Sequence, residues 1–223
     1  MEELSRDYAQ NVRDFRARLR VGENFDVIAR RLPVGRDEMT LFYIDGFVKD
    51  GIMLRLMQYF GGLKGMLRGE RDACRRFAEM HVPYVEVECS RDAAHLRMMV
   101  LSGAVLMLGS TFGNEAIVID ARTYPARETQ EPENDRVMQG SRDGFVETLI
   151  FNTALIRRRI RDEALTMQYE TVGGESRTDV VLCYMQGRAD PAYVAALQRR
   201  LREIAPTHIA LGTESLIETL IRR

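Results

Sequence analysis

Every apolar stretch in this chain is short. The longest nearly apolar run, residues 98–108, has about 11 residues, roughly half of what a helical bilayer crossing requires. No segment is therefore expected to span a membrane. The apolar residues must instead be buried by packing short elements against one another, each with one apolar face. With 223 residues the chain is long enough for a sizeable core, and 45% hydrophobic with 29% charged residues is an ordinary balance for a folded domain. Its length suits either one large domain or two small ones packed together, and two are expected.

Charge and cysteine usage narrow the function classes. The 32 Lys plus Arg nearly cancel the 33 Asp plus Glu, leaving a formal charge of -1 and no field that would gather nucleic acid or anionic lipid. Cys74, Cys89 and Cys183 are odd in number and have no C-x-x-C spacing, so neither a disulfide framework nor a zinc site is expected. A reducing compartment fits best. The opening MEELSRDYAQ lacks the basic and apolar regions of a secretion signal, which predicts a start in the cytoplasm.

The periodicity then sets out the elements. Leu4, Tyr8, Val12, Phe15 and Leu19 recur at helical spacing and predict an opening amphipathic helix. Residues 25–32 and 39–44 read as a β-hairpin around PVGRD, followed by a helix capped by Asp50 and carrying Ile52, Leu56 and Phe60 on one face. A helix over 71–81, a strand over 84–89, a helix from a Ser90 cap to Val100, and strands over 105–108 and 116–121 follow. The polar stretch 123–143, with Pro125, Pro132, Gly140 and EPEND, reads as a connector. Its position predicts subdomains over 1–128 and 129–223, each a mixed β-sheet packed with helices.

After the connector come a long helix over 145–160, a second hairpin of 165–172 and 178–185, and a helix opened by Asp190 and Pro191. Val194, Leu197, Leu201 and Ile204 form its apolar face, Pro206 ends it, and a strand over 208–211 and a last helix from Thr213 complete the pattern. The halves echo each other. Hairpin, Tyr43, Gly46, Asp50 and helix in the first half answer hairpin, Tyr184, Gly187, Asp190 and helix in the second.

No usual centre for chemistry is found. His81, His95 and His208 lie in separate elements, and no phosphate-cradling or nucleophile-elbow motif occurs, so no cofactor or metal is predicted. Asp45 and Asp120 each leave a strand, where a carboxylate either serves as acid or base, with Cys89 as a third candidate, or simply bonds turn amides. The second reading is preferred. Arg157, Arg158, Arg159 and Arg161 crowd one helix end, but consecutive side chains point about 100° apart and do not line a groove for a phosphate backbone. Pairing with Glu131, Glu133, Asp135 or Glu147 is a better use, and such pairs would form a mechanical clamp or remain merely solvated.

Three segments have an unusual residue order: YIDGFVKD at 43–50, IDARTYPAR at 119–127 and GSRDGFVETLIFNTALIRRRI at 140–160. Together they resemble the soluble N-terminal region of the spore germinant-receptor A-subunit (GerA) family, over nearly the whole chain. The third carries the family's pattern in Gly140, Arg142, Gly144, Phe145, Glu147, Asn152, Leu155, Ile156, Arg157 and Arg159, after an acidic-Pro-acidic stretch matching Glu131, Pro132 and Glu133. Gln139 departs from it, since the family usually has arginine there.

The resemblance implies a non-enzymatic, two-subdomain α/β region on the cytoplasmic, spore-core face of the spore inner membrane. Transmembrane helices would follow residue 223 in the full protein, with Arg222 and Arg223 flanking the first span. It further implies homo-oligomerisation, other inner-membrane germination proteins as partners, and a role in subunit assembly and signal coupling in an ion-channel complex. Arg127, Glu131, Glu133, Arg142, Glu147, Asn152, Arg157 and Arg159 are the signature and interface candidates. The alternative is a sensor module holding a small metabolite between the subdomains.

Overall fold

The computed structural model describes residues 2–123, 144–174 and 177–203. Its contacts divide the chain into two compact units, Met1–Gly22 with Asp26–Glu163, and Glu23–Phe25 with Ala164–Arg223. The break between units thus falls at 163/164 instead of the expected 128/129, because the long helix after the connector packs into the first unit. Residues 124–143, which carry the expected boundary, lie outside the described residues.

The first unit is built on a five-stranded sheet of β1 (Val27–Val34), β2 (Asp37–Ile44), β4 (Val105–Gly109), β5 (Ala116–Ile119) and β3 (Val87–Ser90), in that spatial order. Every pairing is antiparallel, so the sheet is not of the mixed kind the sequence reading expected. The β1–β2 connection shows why: Val34 pairs with Asp37 across a two-residue turn, leaving no room for the crossover a parallel pair needs. The loop expected over 33–37 is correspondingly shorter. Gly35 takes a φ of +63°, and a Cβ there would lie 2.0 Å from the Lys64 carbonyl oxygen, so that turn requires glycine.

Both faces of the sheet are covered. Met39, Leu41, Val105, Met107, Ile117 and Ile119 meet α2 (Asp50–Gly61) and α3 (Ala73–His81) through Met53, Leu56, Phe60, Cys74 and Phe77. The alternate residues Phe42, Ile44, Leu106, Leu108, Ala116 and Val118 meet α1 (Tyr8–Arg18), α4 (Ala93–Leu101) and α5 (Leu149–Arg159) through Phe15, Leu96, Val100 and Ala154. Burial on two faces explains why VLML and AIVI read as continuous apolar runs without alternation. Each large side chain so buried stabilises the fold by about 1.5–3 kcal/mol relative to exposure.

Local signals place the helix starts with small corrections. Asp50 begins α2 without capping it, since Lys49 holds the cap position. Asp92, and not Ser90, caps α4 by accepting from the Ala94 and His95 amides at 3.0 and 3.1 Å.

The second unit contains β6 (Leu165–Val172) and β7 (Thr178–Met185), paired antiparallel, and α6 (Pro191–Arg202), with Val172 and Leu201 at its core. Asp190 caps α6 and Pro191 opens it, as predicted. Residues 23–25 join this unit alongside β6: the Phe25 amide donates to the Met167 carbonyl at 3.1 Å, and the Met167 amide donates to Asn24 Oδ1 at 2.7 Å. The echo between halves has structural substance, for each unit has a hairpin of two eight-residue strands, a positive-φ glycine (Gly46 at +83°, Gly187 at +78°) and a twelve-residue helix. The strand and helix expected beyond Pro206 lie outside the described residues. Among the described residues, no helix is long and apolar enough to cross a membrane.

Candidate functional site

The distinctive segments converge on the turn after β2. Gly46 lies so close to α5 that a Cβ there would stand 2.8 Å from Ile150 Cγ2 and 3.5 Å from Ala154 Cβ, which brings YIDGFVKD against the 140–160 segment. The next residues meet the 119–127 segment: the Thr123 amide donates to the Phe47 carbonyl at 2.6 Å, and Val48 forms an antiparallel bridge with Arg122. Glycine is required at 46 twice over, by its positive φ and by the approach of the helix.

An ion pair lies at the base of this turn. Arg157 of α5, 0% exposed, donates through Nε to Asp26 Oδ2 at 2.9 Å and through Nη2 to Asp26 Oδ1 at 3.1 Å, and Asp26 is itself 3% exposed. The two-pronged geometry suits a guanidinium against a carboxylate and holds both groups in fixed orientation. The Asp45 amide donates to the Asp26 carbonyl at 2.8 Å, so the residue before β1 and the residue after β2 are tied together. Loss of one partner from such a pair leaves an uncompensated buried charge, at a cost of about 3–5 kcal/mol.

Asp26 was not among the partners expected for the arginine cluster. Its partner is 131 residues away in sequence, and no local spacing signals a contact of that range. Its one visible sign was a carboxylate standing immediately before the apolar start of β1. Of the other candidates, Asn152 closes the entry to α5, accepting from the Val146 amide at 2.8 Å and donating to the Val146 carbonyl at 2.7 Å. Glu147 and Arg159 are exposed. Arg127, Glu131, Glu133 and Arg142, together with Asp135, lie outside the described residues.

A second arginine, Arg97 of α4, is 8% exposed and bridges two carboxylates, Glu163 Oε1 at 2.6 Å and Glu2 Oε2 at 2.7 Å. Burial works against its charge, but the hydrogen bonds it donates to Glu2 and Glu163, with the attraction of their charges, outweigh burial and raise its pKa. Asp26 and Glu163 are the residues of the first unit at which the chain returns from and departs to the second. Each is thus gripped, within its own unit, by a buried arginine.

The candidate reaction centre does not assemble. Asp45 lines a cavity of about 260 Å³ with Tyr43, Val48, Asp50 and Met53, whereas Asp120 lines a different one with Tyr84, Glu86 and Arg122, and Cys89 lines neither. Burial raises the Asp45 pKa, and the Gly46 amide bonded to its carboxylate opposes that. Arg122 holds Asp120 in a two-pronged pair and lowers its pKa. Each carboxylate therefore serves local structure. His95 bonds Glu88 at 3.0 Å and His81 packs on Phe77, while His208 lies outside the described residues. Among the described residues, no group of three or more His, Cys, Asp or Glu side chains is placed to hold a metal ion.

Comparison with known proteins gives these features a family. Residues 16–223 match the model of the Bacillus/Clostridium GerA spore germination protein family. Stage V sporulation protein AF of Bacillus subtilis (strain 168) is 32% identical over 98% of this chain and 44% of its own length, and spore germination protein KA of the same organism is 24% identical over 90% and 37%. The chain spans less than half the length of these curated relatives. The crystal structure of the N-terminal domain of the A subunit of the Bacillus megaterium spore germinant receptor GerK3 superposes with a TM-score of 0.68 at 21% identity, covering 97% of this chain and 80% of that one. The α/β architecture is thus shared with that domain.

Proposed function

Because this chain belongs to the Bacillus/Clostridium GerA family of spore germination proteins, we propose that it is the non-catalytic aqueous domain of a spore-germination membrane protein, mediating subunit assembly and signal coupling in a receptor-like ion-channel complex. The membrane-embedded part would lie in the portion of the relatives that this chain does not span. On this reading the domain faces the spore core and assembles with further copies and with other inner-membrane germination proteins.

The observation that carries the reading is the joint at Asp26 and Arg157. The distinctive segments meet at the turn after β2, a buried two-pronged ion pair stands beneath it, and the pair anchors the point at which the chain re-enters the first unit. Transmission of a signal requires an element with two discrete arrangements, and interfaces held by charge and packing have that property. Bond-making side chains are not needed for it.

The test places Arg157→Lys or Asp26→Glu in the full-length protein in spores. Arg157→Lys keeps the charge but loses the fork, and Asp26→Glu keeps both carboxylate oxygens but shifts them by one methylene. Slowed dipicolinate release, with the protein present at its normal level in the inner membrane, is the expected result. A change in the size of the native complex would locate the defect in assembly, whereas an unchanged size would locate it in coupling. Normal release from spores carrying either variant at full level defeats the proposal.

A further inference from the structure

The five-stranded sheet of the first unit ends in two open edges, β1 on one side and β3 on the other. The Asp45 amide donates to the Asp26 carbonyl, so Ile28, Arg30 and Leu32 turn their backbone groups to β2, while those of Ala29, Arg31 and Pro33 point outward. Pro33, with no N–H to leave unpaired, suits that outer row. In the same way the Asp120 amide donates to the Glu86 carbonyl, so Glu86 and Glu88 face β5 while the backbone groups of Val85, Val87 and Cys89 point outward. None of these outward groups has a hydrogen-bond partner among the described residues. The β3 row is filled one step further on, where the Leu4 amide donates to the Arg91 carbonyl at 2.9 Å and Glu3 bridges to Asp92, so this edge already accepts an added strand. At the other end of the row, Val85 is 97% exposed.

Charge distinguishes the two edges. β1 presents Arg30 and Arg31, and β3 presents Glu86 and Glu88, all four exposed. Side chains alternate between faces along a strand, so Arg31 lies on the face of Val27 and Ala29, the one packed by α1 and α4. Val87 and Cys89 pack on the opposite face, so Glu86 and Glu88 share the face of Arg31, in keeping with the bond from Glu88 to His95 of α4. Like charges set opposite one another destabilise a strand pair, and unlike charges stabilise it. Pairing β1 with β1 opposes arginine to arginine, and pairing β3 with β3 opposes glutamate to glutamate. We infer that the β3 edge of one copy of this chain docks on the β1 edge of a second copy, joined by backbone hydrogen bonds, with Glu86 and Glu88 set against Arg31 and Arg30 adding to the attraction.

This rests on the reading of the domain as an assembly module and names the surface through which it assembles. The successive antiparallel pairings leave β1 and β3 running in the same direction. A second copy in the same orientation therefore makes a parallel junction, with Arg31 on the glutamate side of the sheet. Within one chain Arg31 bonds Glu38 and Glu88 bonds His95, but such exposed pairs exchange partners at little cost. Because the two edges differ, the contact repeats from copy to copy, closing a ring or growing a filament instead of stopping at a dimer.

The experiment follows the purified 223-residue chain by sedimentation velocity over a concentration series reaching about 1 mM. Association that passes beyond the dimer and weakens with added salt is expected. Two variants, Glu86→Arg with Glu88→Arg and Arg30→Glu with Arg31→Glu, should each weaken it by about tenfold or more. All four positions are exposed, so both variants should fold, which an unchanged circular dichroism spectrum checks. Mixing the two variants should restore association, because an acidic β1 then meets a basic β3 and a basic β1 meets an acidic β3. Monomers throughout, association untouched by either variant, or a mixture no better than its components would each overturn the inference. Association untouched by the variants would mean assembly through another surface and would leave the function proposed above standing. That function is decided separately, by dipicolinate release from spores carrying the Asp26 and Arg157 variants.

Discussion

Asp26 and Arg157 show how much one pair of side chains can decide. Both are buried, so removing either carboxylate or guanidinium strands the other in a medium that solvates charge poorly. Asp26→Ala should therefore destabilise the first unit by about 3–5 kcal/mol, a fall in Tm of about 10 °C. Replacing both residues together, with Asp26→Ala and Arg157→Met, should cost less than the sum of the two single changes, and denaturant melts of the four proteins measure the difference. Strict additivity would mean that the pair contributes nothing as a pair. Asp45 gives a prediction of opposite sign. Burial raises its pKa in the folded state, so its contribution to stability is fully present below the ordinary aspartate range and is lost as pH rises through the raised value. At neutral pH the ionised carboxylate is a liability, and Asp45→Asn, which keeps an acceptor for the Gly46 amide, should raise Tm. That gain should shrink below about pH 4, and a gain independent of pH would contradict the assigned cause.

At the scale of elements, the starts of two helices share a device that neither capping statistics nor spacing announces. Asn152 of α5 exchanges two hydrogen bonds with the backbone of Val146, and Asn11 of α1 does the same with Ser5, accepting at 2.9 Å and donating at 2.7 Å. In each case the asparagine stands six residues after its partner and folds the approach segment back onto the first turn. Only an amide can both accept and donate in this way. Asn152→Ala should cost about 1–2 kcal/mol and speed hydrogen exchange at the Val146 amide, whereas Asn152→Asp should keep that amide protected while losing the bond to the Val146 carbonyl. Equal exchange rates in the two variants would refute this account. Elements defined by local periodicity were legible in the sequence: β6 and β7 run over the predicted residues, and Asp190 with Pro191 opens α6. Features set by distant partners were not. The Arg157 cluster marked a charged joint, but Asp26 could be found only once folding had brought β1 and α5 together, and the strand order of the sheet likewise depends on the β2–β4 and β3–β5 pairings, which join strands separated by intervening elements.

The whole molecule is two units through which the chain passes more than once. A break in composition at 123–143 suggested a single crossing, yet residues 23–25 leave the first unit between α1 and β1 and belong to the second. A domain boundary read from polarity follows composition, and that need not be where a chain changes core. The insertion makes the second unit depend on residues far upstream. Asn24, 3% exposed, receives the buried Met167 amide, and a side chain without an acceptor would leave that N–H unsatisfied at a cost of about 1–3 kcal/mol. Asn24→Ala should therefore speed hydrogen exchange across β6 and β7 while leaving the β2 and β4 amides of the first unit as slow as before, even though position 24 is separated from α1 by only a few residues. The same logic predicts that a piece containing 164–223 alone, lacking Asn24 and Phe25, has less ordered β-structure by circular dichroism than those residues show within the full chain. Unchanged exchange in β6 and β7 of the Asn24→Ala protein would mean that the threaded segment merely passes by, and that the second unit is complete without it.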